Sequence, residues 1–226
     1  MKYDILYKEA FPLVEVKLDK GEMLKAESGA MVSMSQTIDV EGKIDGGIMQ
    51  GLGRMISGEK FFFQTLAANR GYGEVLLAPA AMGSVVDIEL DGSYGMCIQK
   101  DGFLAATQNV EISTKMQNLF KGLFSGEGFF ILKATGRGTL FINSLGNIHA
   151  INIPSGQEAI IDNSHLVAWP DYMNYTLEKA SKGWISSWTS GEGIVCRFKG
   201  PGTVLIQSRN PRAFGAWVSQ FVPSKG

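Results

Sequence analysis

The residues that could carry acid–base, metal or nucleophilic chemistry are few and widely separated in the sequence. The chain contains two histidines, His149 and His165, and two cysteines, Cys97 and Cys196. None of them has the close spacing of a zinc site, and no Gly-x-Ser-x-Gly elbow is present to expose a serine nucleophile. The glycine-rich stretch 46–54 lacks the Lys-Ser/Thr pair that completes a phosphate-binding P-loop. We therefore predict no catalytic, cofactor-binding or metal-binding residue, and we interpret the histidines as ordinary strand residues.

One set of carboxylates does recur. Glu59, Glu127 and Glu192 each end the phrase Ser-Gly-Glu, and the three phrases start 68 and 65 residues apart. In a body with threefold pseudo-symmetry these carboxylates would occupy equivalent positions, and a ring of three could bind a hard cation. The alternative is that the glycine permits a turn or bulge and each glutamate stays hydrated or pairs with a neighbour. We favour the alternative, because duplication by itself repeats every position.

The segments around these phrases have the patterns of β-strands. Alternation of apolar and polar residues, as in Leu13–Leu18, has the period of two that is typical of a half-buried strand. Each phrase opens an apolar run, and a Gly-x-Gly separates that run from a second one; the triplets are Gly71–Gly73, Gly136–Gly138 and Gly200–Gly202. Two-residue turn signals indicate tight hairpins between strands. They are Ser28-Gly29, Asp101-Gly102 and Asn163-Ser164.

These patterns predict an all-β protein built from three internal repeats. We place the repeats at about 21–90, 91–153 and 154–211 within a single domain of residues 1–226, since no Pro/Gly/Ser-rich linker separates them. A repeat of this size cannot cover its own apolar face, so the copies must pack on one another. We expect a pseudo-threefold barrel or sandwich of antiparallel sheets, closed on itself because closure removes sticky sheet edges.

Apolar connectors precede each phrase, at residues 46–56, 116–124 and 183–188, and they do not follow a strand pattern. The second connector has the spacing of a short helix, and residues 211–222 predict a C-terminal helical tail with a proline in its first turn. These segments either plug the ends of the β body or form an exposed surface. The residues that we assign to such an interaction surface are Arg54, Leu119, Phe120, Trp184, Trp188, Phe214 and Trp217.

The composition excludes several functional classes. The net charge is −1 and the isoelectric point about 6.2, and the basic residues are spread singly, so we expect no nucleic-acid partner. The first residues lack the apolar core of a signal peptide, and no stretch approaches the ~20 apolar residues of a membrane span. We expect a cytoplasmic protein. The two cysteines could form a disulfide, but we favour two buried thiols in a reducing compartment.

Three motifs resemble the altered inheritance of mitochondria 24 family, formerly a domain of unknown function that is common in bacteria. They are Gly46-Gly47…Gly51-x-Gly53-Arg54, Ser57-Gly58-Glu59-x-Phe61-Phe62, and Gln207-Ser208-Arg209-Asn210 before an apolar tail. The resemblance covers nearly the whole chain and implies a fold similar to that of the tryptophan RNA-binding attenuation protein. Eukaryotic relatives are associated with the organisation of the mitochondrial inner membrane. The resemblance carries over no catalytic residue, and a fold shared with an RNA-binding protein does not transfer RNA binding.

The sequence therefore predicts a non-enzymatic scaffold or binding protein that needs no cofactor. We expect a homo-oligomer, with a trimer favoured and the C-terminal helix as its clamp, and a protein or membrane surface as a further partner. The alternative is a small-ligand binder or enzyme that uses a cleft between repeats. In that case Arg54, Glu59 or His149 would lie within reach of one another.

Overall fold

Apolar–polar alternation produces the strands of this protein, as β2 shows. In β2, Val14, Val16 and Leu18 are fully buried, while the residues between them are partly exposed. The structure is a computed structural model, and it describes residues 1–41, 63–116, 130–179 and 194–222. The predicted connector helices, apart from Met116 at the end of a strand, lie outside the described residues.

The described residues form strands β1 to β18 and a single α-helix, α1, near the end of the chain. The helix is Pro211–Ser219, within the predicted tail. The strands are β1 Lys2–Leu6, β2 Leu13–Leu18, β3 Met23–Glu27, β4 Met31–Met34, β5 Asp39–Glu41, β6 Phe63–Ala67, β7 Gly73–Leu77, β8 Val85–Asp91, β9 Met96–Gln99, β10 Phe103–Thr107, β11 Val110–Met116, β12 Phe130–Asn143, β13 Ile148–Ile153, β14 Glu158–Asp162, β15 Leu166–Pro170, β16 Tyr175–Lys179, β17 Ile194–Lys199 and β18 Gly202–Gln207. Short 3-10 turns, Lys100–Gly102 and Asn163–His165, precede β10 and β15.

One antiparallel pairing scheme occurs three times along the chain. In the first set of strands, β7 lies between β2 and β4, and β6 lies between β3 and β5. In the second set, the single long strand β12 takes the places of both β6 and β7. Its first half pairs with β9 and β11, as β6 pairs with β3 and β5, and its second half pairs with β8 and β10, as β7 pairs with β2 and β4. In the third set, β18 lies between β13 and β15, and β17 between β14 and β16.

Two ladders join the three sets. Strand β10 of the second set pairs with β3 of the first, with Ala105 opposite Ala26, and β15 of the third pairs with β9 of the second, with Ala168 opposite Ile98. The resulting sheets have the orders β1-β2-β7-β4, β13-β18-β15-β9-β12-β10-β3-β6-β5 and β14-β17-β16. The prediction of an all-β protein of antiparallel sheets is confirmed. Within the described residues the sheets form no closed barrel, so the sandwich is the form that is observed.

The core is divided in the same way as the strands. Three clusters of buried apolar side chains lie mainly in the first, second and third sets, and each joint contributes residues from the neighbouring set. Trp169 is fully buried in the third cluster, with its ring 5.3 Å from that of Tyr175 and 5.5 Å from that of Phe198. Both ring pairs are T-shaped, an arrangement that aromatic side chains favour.

The Gly-x-Gly triplets mark the points where the chain passes from one sheet to the other. Gly136 and Gly138 lie inside β12, with φ of 103° and 141°, where the strand changes partners. A side chain at Gly138 would overlap the hydroxyl of Thr107, which accepts a hydrogen bond from the Thr139 backbone N–H at 3.1 Å. Both the backbone angle and the close approach therefore require glycine at this position.

Two local predictions were wrong. The turn signals at Ser28-Gly29, Asp101-Gly102 and Asn163-Ser164 do not form hairpins, because the two strands that flank each signal do not pair with each other. Strands β3 and β4, and likewise β14 and β15, lie in different sheets, whereas β9 and β10 pair with different halves of β12. In addition, His165 lies in a 3-10 turn instead of a strand, whereas His149 does lie in β13. The division into a single domain with three repeat boundaries stays a prediction.

Candidate functional site: the C-terminal helix and its anchor

Most of the predicted site residues lie outside the described part of the chain. These are the three repeated carboxylates and five residues of the interaction surface: Glu59, Glu127, Glu192, Arg54, Leu119, Phe120, Trp184 and Trp188. The carboxylate ring and the cleft that includes Arg54 and Glu59 stay predictions. Phe214 and Trp217 are described, and both lie in helix α1.

Local sequence sets the start of α1. The side-chain oxygen of Asn210 accepts hydrogen bonds from the backbone N–H groups of Arg212 at 2.9 Å and Ala213 at 3.2 Å. These are two of the N–H groups that a helix leaves without an internal partner, and asparagine is among the best residues for this role. Pro211 follows at the first helical position, where its fixed φ fits and its missing N–H costs nothing.

The helix carries a cluster of aromatic rings, which we call the aromatic face: Phe214, which is partly buried, and Trp217 and Phe221, which are exposed. The spacing places the three side chains along one side of the helix and its C-terminal turn. The ring centroids of Phe214 and Trp217 are 6.0 Å apart, and those of Trp217 and Phe221 are 5.2 Å apart. Trp217 exposes 56% of its surface and Phe221 70%.

No residue of α1 is buried against the described part of the protein. Gly215 illustrates this, since a Cβ atom added there would meet no atom of the described residues within 4 Å. An amphipathic helix is normally stabilised by packing its apolar face on a core. In α1, Trp217 and Phe221 instead remain exposed, which is typical of a surface that binds something else.

The base of the helix is anchored to the β body through side-chain hydrogen bonds. The side chain of Gln207 accepts from the Leu145 backbone N–H and donates to the Ser164 carbonyl, each at 2.9 Å. The Ser208 hydroxyl accepts from the Asn147 backbone N–H at 2.9 Å. His165 Nδ1 lies 2.7 Å from the Gln207 carbonyl oxygen, and it donates because a carbonyl can only accept. The residues of the Gln-Ser-Arg-Asn motif thus fix where the helix leaves the body.

The charged residues of the C-terminal segment have one sign. Arg209 and Arg212 are exposed near the start of the helix, and residues 200–222 contain no aspartate or glutamate. Because the N-terminal end of a helix already carries partial positive charge, these arginines do not stabilise the helix. They instead place two positive charges at the base of the helix that carries the aromatic face.

The remaining reactive groups of the described residues serve structure. Burial, and then the charge of Asp162, raise the pKa of the Cys196 thiol to about 12, so it stays protonated and is a poor nucleophile at neutral pH. Cys97 is also a buried thiol. The described residues contain no group of three or more His, Cys, Asp or Glu side chains able to hold a metal ion.

One carboxyl group with an unusual environment was not predicted. Burial raises the pKa of Glu27 to about 7, and the charge of Asp101 adds to the shift. Glu27 ends β3, and Asp101 lies in the 3-10 turn before β10, so the two residues meet where the first and second sets join. No sequence signal could have found this pair, since 73 intervening positions separate residues 27 and 101.

The fold and the exposed helix define a β-sandwich protein that carries exposed aromatic side chains on its C-terminal helix. The chain belongs to the family described as mitochondrial biogenesis AIM24, whose profile matches residues 3–209. The resemblance noted from the three motifs is therefore confirmed, and the match ends one residue before the helix cap Asn210.

Two comparisons with Streptococcus pyogenes proteins cover almost the whole chain. An uncharacterized protein of the serotype M6 strain is 33% identical over 99% of this chain and 92% of its own length. A crystal structure of a protein from the same species superposes with a TM-score of 0.80 and 31% identity, covering 98% of this chain and 99% of the other. This similarity shows that this chain has the same fold as the protein in that crystal structure.

A fungal relative is more distant. The mitochondrial altered inheritance of mitochondria protein 24 of Aspergillus flavus is 22% identical over 89% of this chain, and the match spans 60% of the fungal protein. In the part of the chain that the structure describes, no helix is long and apolar enough to cross a membrane. A cytoplasmic location stays a prediction from the sequence.

Proposed function

We propose that this protein is a non-enzymatic, peripheral binding protein that docks on an anionic membrane surface through helix α1. The observation that carries the proposal is the aromatic face, in which Trp217 and Phe221 are more than half exposed and their rings contact each other. Aromatic side chains beside basic residues are typical of helices that lie in the interface of a membrane. The arginines at the base of α1 supply the attraction to anionic lipid.

The geometry supports this mode of binding. The hydrogen bonds of Gln207 and Ser208 hold the base of the helix, so that docking need not order a loose tail at entropic cost. A helix of nine residues is short, and burying its apolar side gives a reversible, peripheral contact.

Vesicle co-sedimentation tests the proposal. We expect the full chain to bind vesicles of phosphatidylglycerol and phosphatidylcholine more tightly than vesicles of phosphatidylcholine alone. Trp217→Ala removes on the order of 100 Å² of exposed apolar surface, worth about 2–3 kcal/mol if it were all buried on docking. Since an interfacial ring is only partly buried, we expect the affinity to fall by roughly tenfold or more.

A matched control distinguishes binding through the helix from nonspecific binding by any exposed aromatic side chain. Tyr72 is exposed to a similar degree, 53%, in the turn before β7, and Tyr72→Ala should leave vesicle binding unchanged. Replacing Arg209 and Arg212 by glutamine should remove the preference for anionic vesicles. Failure of the wild-type chain to bind either kind of vesicle would refute membrane docking, as would equal loss in the Trp217 and Tyr72 variants.

A further inference from the structure

The two joints between the sets leave two strand edges without the partner that their counterparts in the joints have. Strand β3 of the first set pairs with β10 of the second, and β9 of the second set pairs with β15 of the third. Strand β4 of the first set is the counterpart of β10 and β15, but it has no preceding set to pair with. Strand β14 of the third set is the counterpart of β3 and β9, but it has no following set to pair with. Within the described residues, β4 ends the sheet β1-β2-β7-β4, and β14 ends the sheet β14-β17-β16.

Shared irregularities establish that β4, β10 and β15 are equivalent. Each pairs with the second central strand of its set, and each has the same one-residue register shift, between Met31 and Ser33, Phe103 and Ala105, and Leu166 and Ala168. Ser33 is therefore the counterpart of Ala105 and Ala168. Likewise, Ile161 lies opposite Cys196 in β17 as Ile98 lies opposite Leu132 in β12, which makes Ile161 the counterpart of Ile98.

Burial differs sharply between the joined strands and the two open ones. In β10, Leu104 and Ala106 are fully buried, whereas their counterparts in β4, Val32 and Met34, expose 55% and 38% of their surfaces. In β14, Ile160 exposes 37%, whereas its counterpart Cys97 exposes 5%. Apolar side chains are therefore exposed on both open edges at the positions that the joints bury.

The β4 edge also lacks the usual protection against pairing. Exposed edges are normally guarded by charges or proline, and the edge strands β5, β11, β14 and β16 each carry charged residues, whereas the edge strand β13 carries none. The sequence of β4 is Met-Val-Ser-Met, with no charge and no proline. An unguarded edge with a ready-made complement elsewhere on the same molecule is the arrangement that a head-to-tail contact needs.

We propose that β4 of one copy of this protein pairs antiparallel with β14 of a second copy, with Ser33 opposite Ile161 and Met34 opposite Ile160. This register follows from the two joints within the chain, where Ala105 lies opposite Ala26 and Ala106 opposite Lys25. The contact continues the ladder already used twice in each copy, and it buries Val32, Met34 and Ile160. It is heterologous, so copies add head to tail, and they form a ring if the rotation between copies closes and an open filament if it does not. The inference does not rest on membrane docking and uses none of the residues of α1.

Cysteine cross-linking tests the register directly. Residues directly opposite in an antiparallel pair have Cα atoms about 4.5–5.5 Å apart, which is within the range that a disulfide spans. We expect an oxidised mixture of Met34→Cys and Ile160→Cys chains to form a covalent dimer that neither variant forms alone. The native cysteines are buried, which limits the background reaction.

Two further outcomes decide against the proposal. A chain carrying both cysteines that closes a disulfide within one molecule, with no gain in mass, would show that the edges meet inside the monomer. Absence of any cross-link in the mixture would equally overturn it.

Light scattering with an edge-blocking variant gives an independent measurement. The wild-type chain should have a mass that is a multiple of 24.5 kDa, and Met34→Lys should reduce it to a single chain with an unchanged circular dichroism spectrum. Val40→Lys is the matched control, because Val40 has the same exposure, 38%, on the edge strand β5. A monomeric wild-type protein, or the same dissociation in both variants, would refute the edge pairing.

Discussion

The buried carboxyl group of Glu27 leads to a prediction about how stability depends on pH. Glu27 lies where the first and second sets join, and burial raises its pKa from 4.5 to about 7, with a smaller contribution from the charge of Asp101. The folded protein therefore binds this proton more tightly than the unfolded chain does. Stability from this group is fully present below the unfolded pKa and is lost as the pH rises through about 7.

The change Glu27→Gln keeps the shape of the side chain and removes its charge. The difference between a pKa of 4.5 and one of about 7 corresponds to at most about 3 kcal/mol. The residue is only partly buried, so solvent screening reduces this figure, and we expect about 1–2 kcal/mol. The variant should therefore be about 1–2 kcal/mol more stable than the wild type at pH 8. The difference should shrink toward zero near pH 4.

Urea denaturation followed by circular dichroism, at pH 4, 6 and 8, measures this difference. Glu9→Gln is a suitable control, since Glu9 is exposed in the loop between β1 and β2, and the stability of that variant should follow the wild type at each pH. A gap between the Glu27 variant and the wild type that stays constant across these pH values would refute the reasoning. A less stable variant at pH 8 would show that the carboxylate is favourably paired in the folded state.

Two further predictions concern the body of the fold. Gly138→Ala should lower the free energy of unfolding by more than about 2 kcal/mol, because it adds backbone strain and an overlap with Thr107. The control Gly29→Ala should cost only about 1 kcal/mol, because Gly29 has a φ of 91° but open space around it. Equal losses of stability in urea denaturation would contradict the argument that the chain needs glycine where it changes sheet. Trp169→Ala should cost about 3–5 kcal/mol because the ring is fully buried, and a loss below 1 kcal/mol in the same assay would show that the third core cluster does not depend on it.

Local patterns were enough to predict the strands and the C-terminal helix, and they located the Gly-x-Gly triplets without predicting that the chain changes sheet there. The alternation at Leu13–Leu18 and the proline and aromatic spacing at 211–221 act within a few residues, so they can be recognised in the sequence alone. The hairpin prediction at Ser28-Gly29 failed for a physical reason. A turn signal shows that the chain reverses, but it does not show whether the next strand joins the same sheet or the opposite one.

The candidate site could be predicted only in part, for a related reason. Phe214 and Trp217 were predicted from spacing on one helix, but their exposure depends on where the Gln207 and Ser208 hydrogen bonds place that helix. The pKa of Glu27 depends on a partner from another set, and the exposure of Met34 depends on which strand is left without a neighbour. Such properties arise from contacts between distant segments, which residue types alone do not specify.

The open edges follow from counting joints. A linear chain of three sets can make two joints between neighbours, so one strand of each joining type is always left over unless the ends meet. Adding a further set moves the open edges to other strands without removing them. Such edges are protected by charges or proline, covered by another element, or paired with another chain. Because β4 retains an uncharged, exposed apolar edge, use is the outcome that the sequence favours. Assembly through that edge would place several copies of α1 on one particle. Since one short helix binds a membrane weakly, several acting together would raise the overall affinity through effective concentration alone.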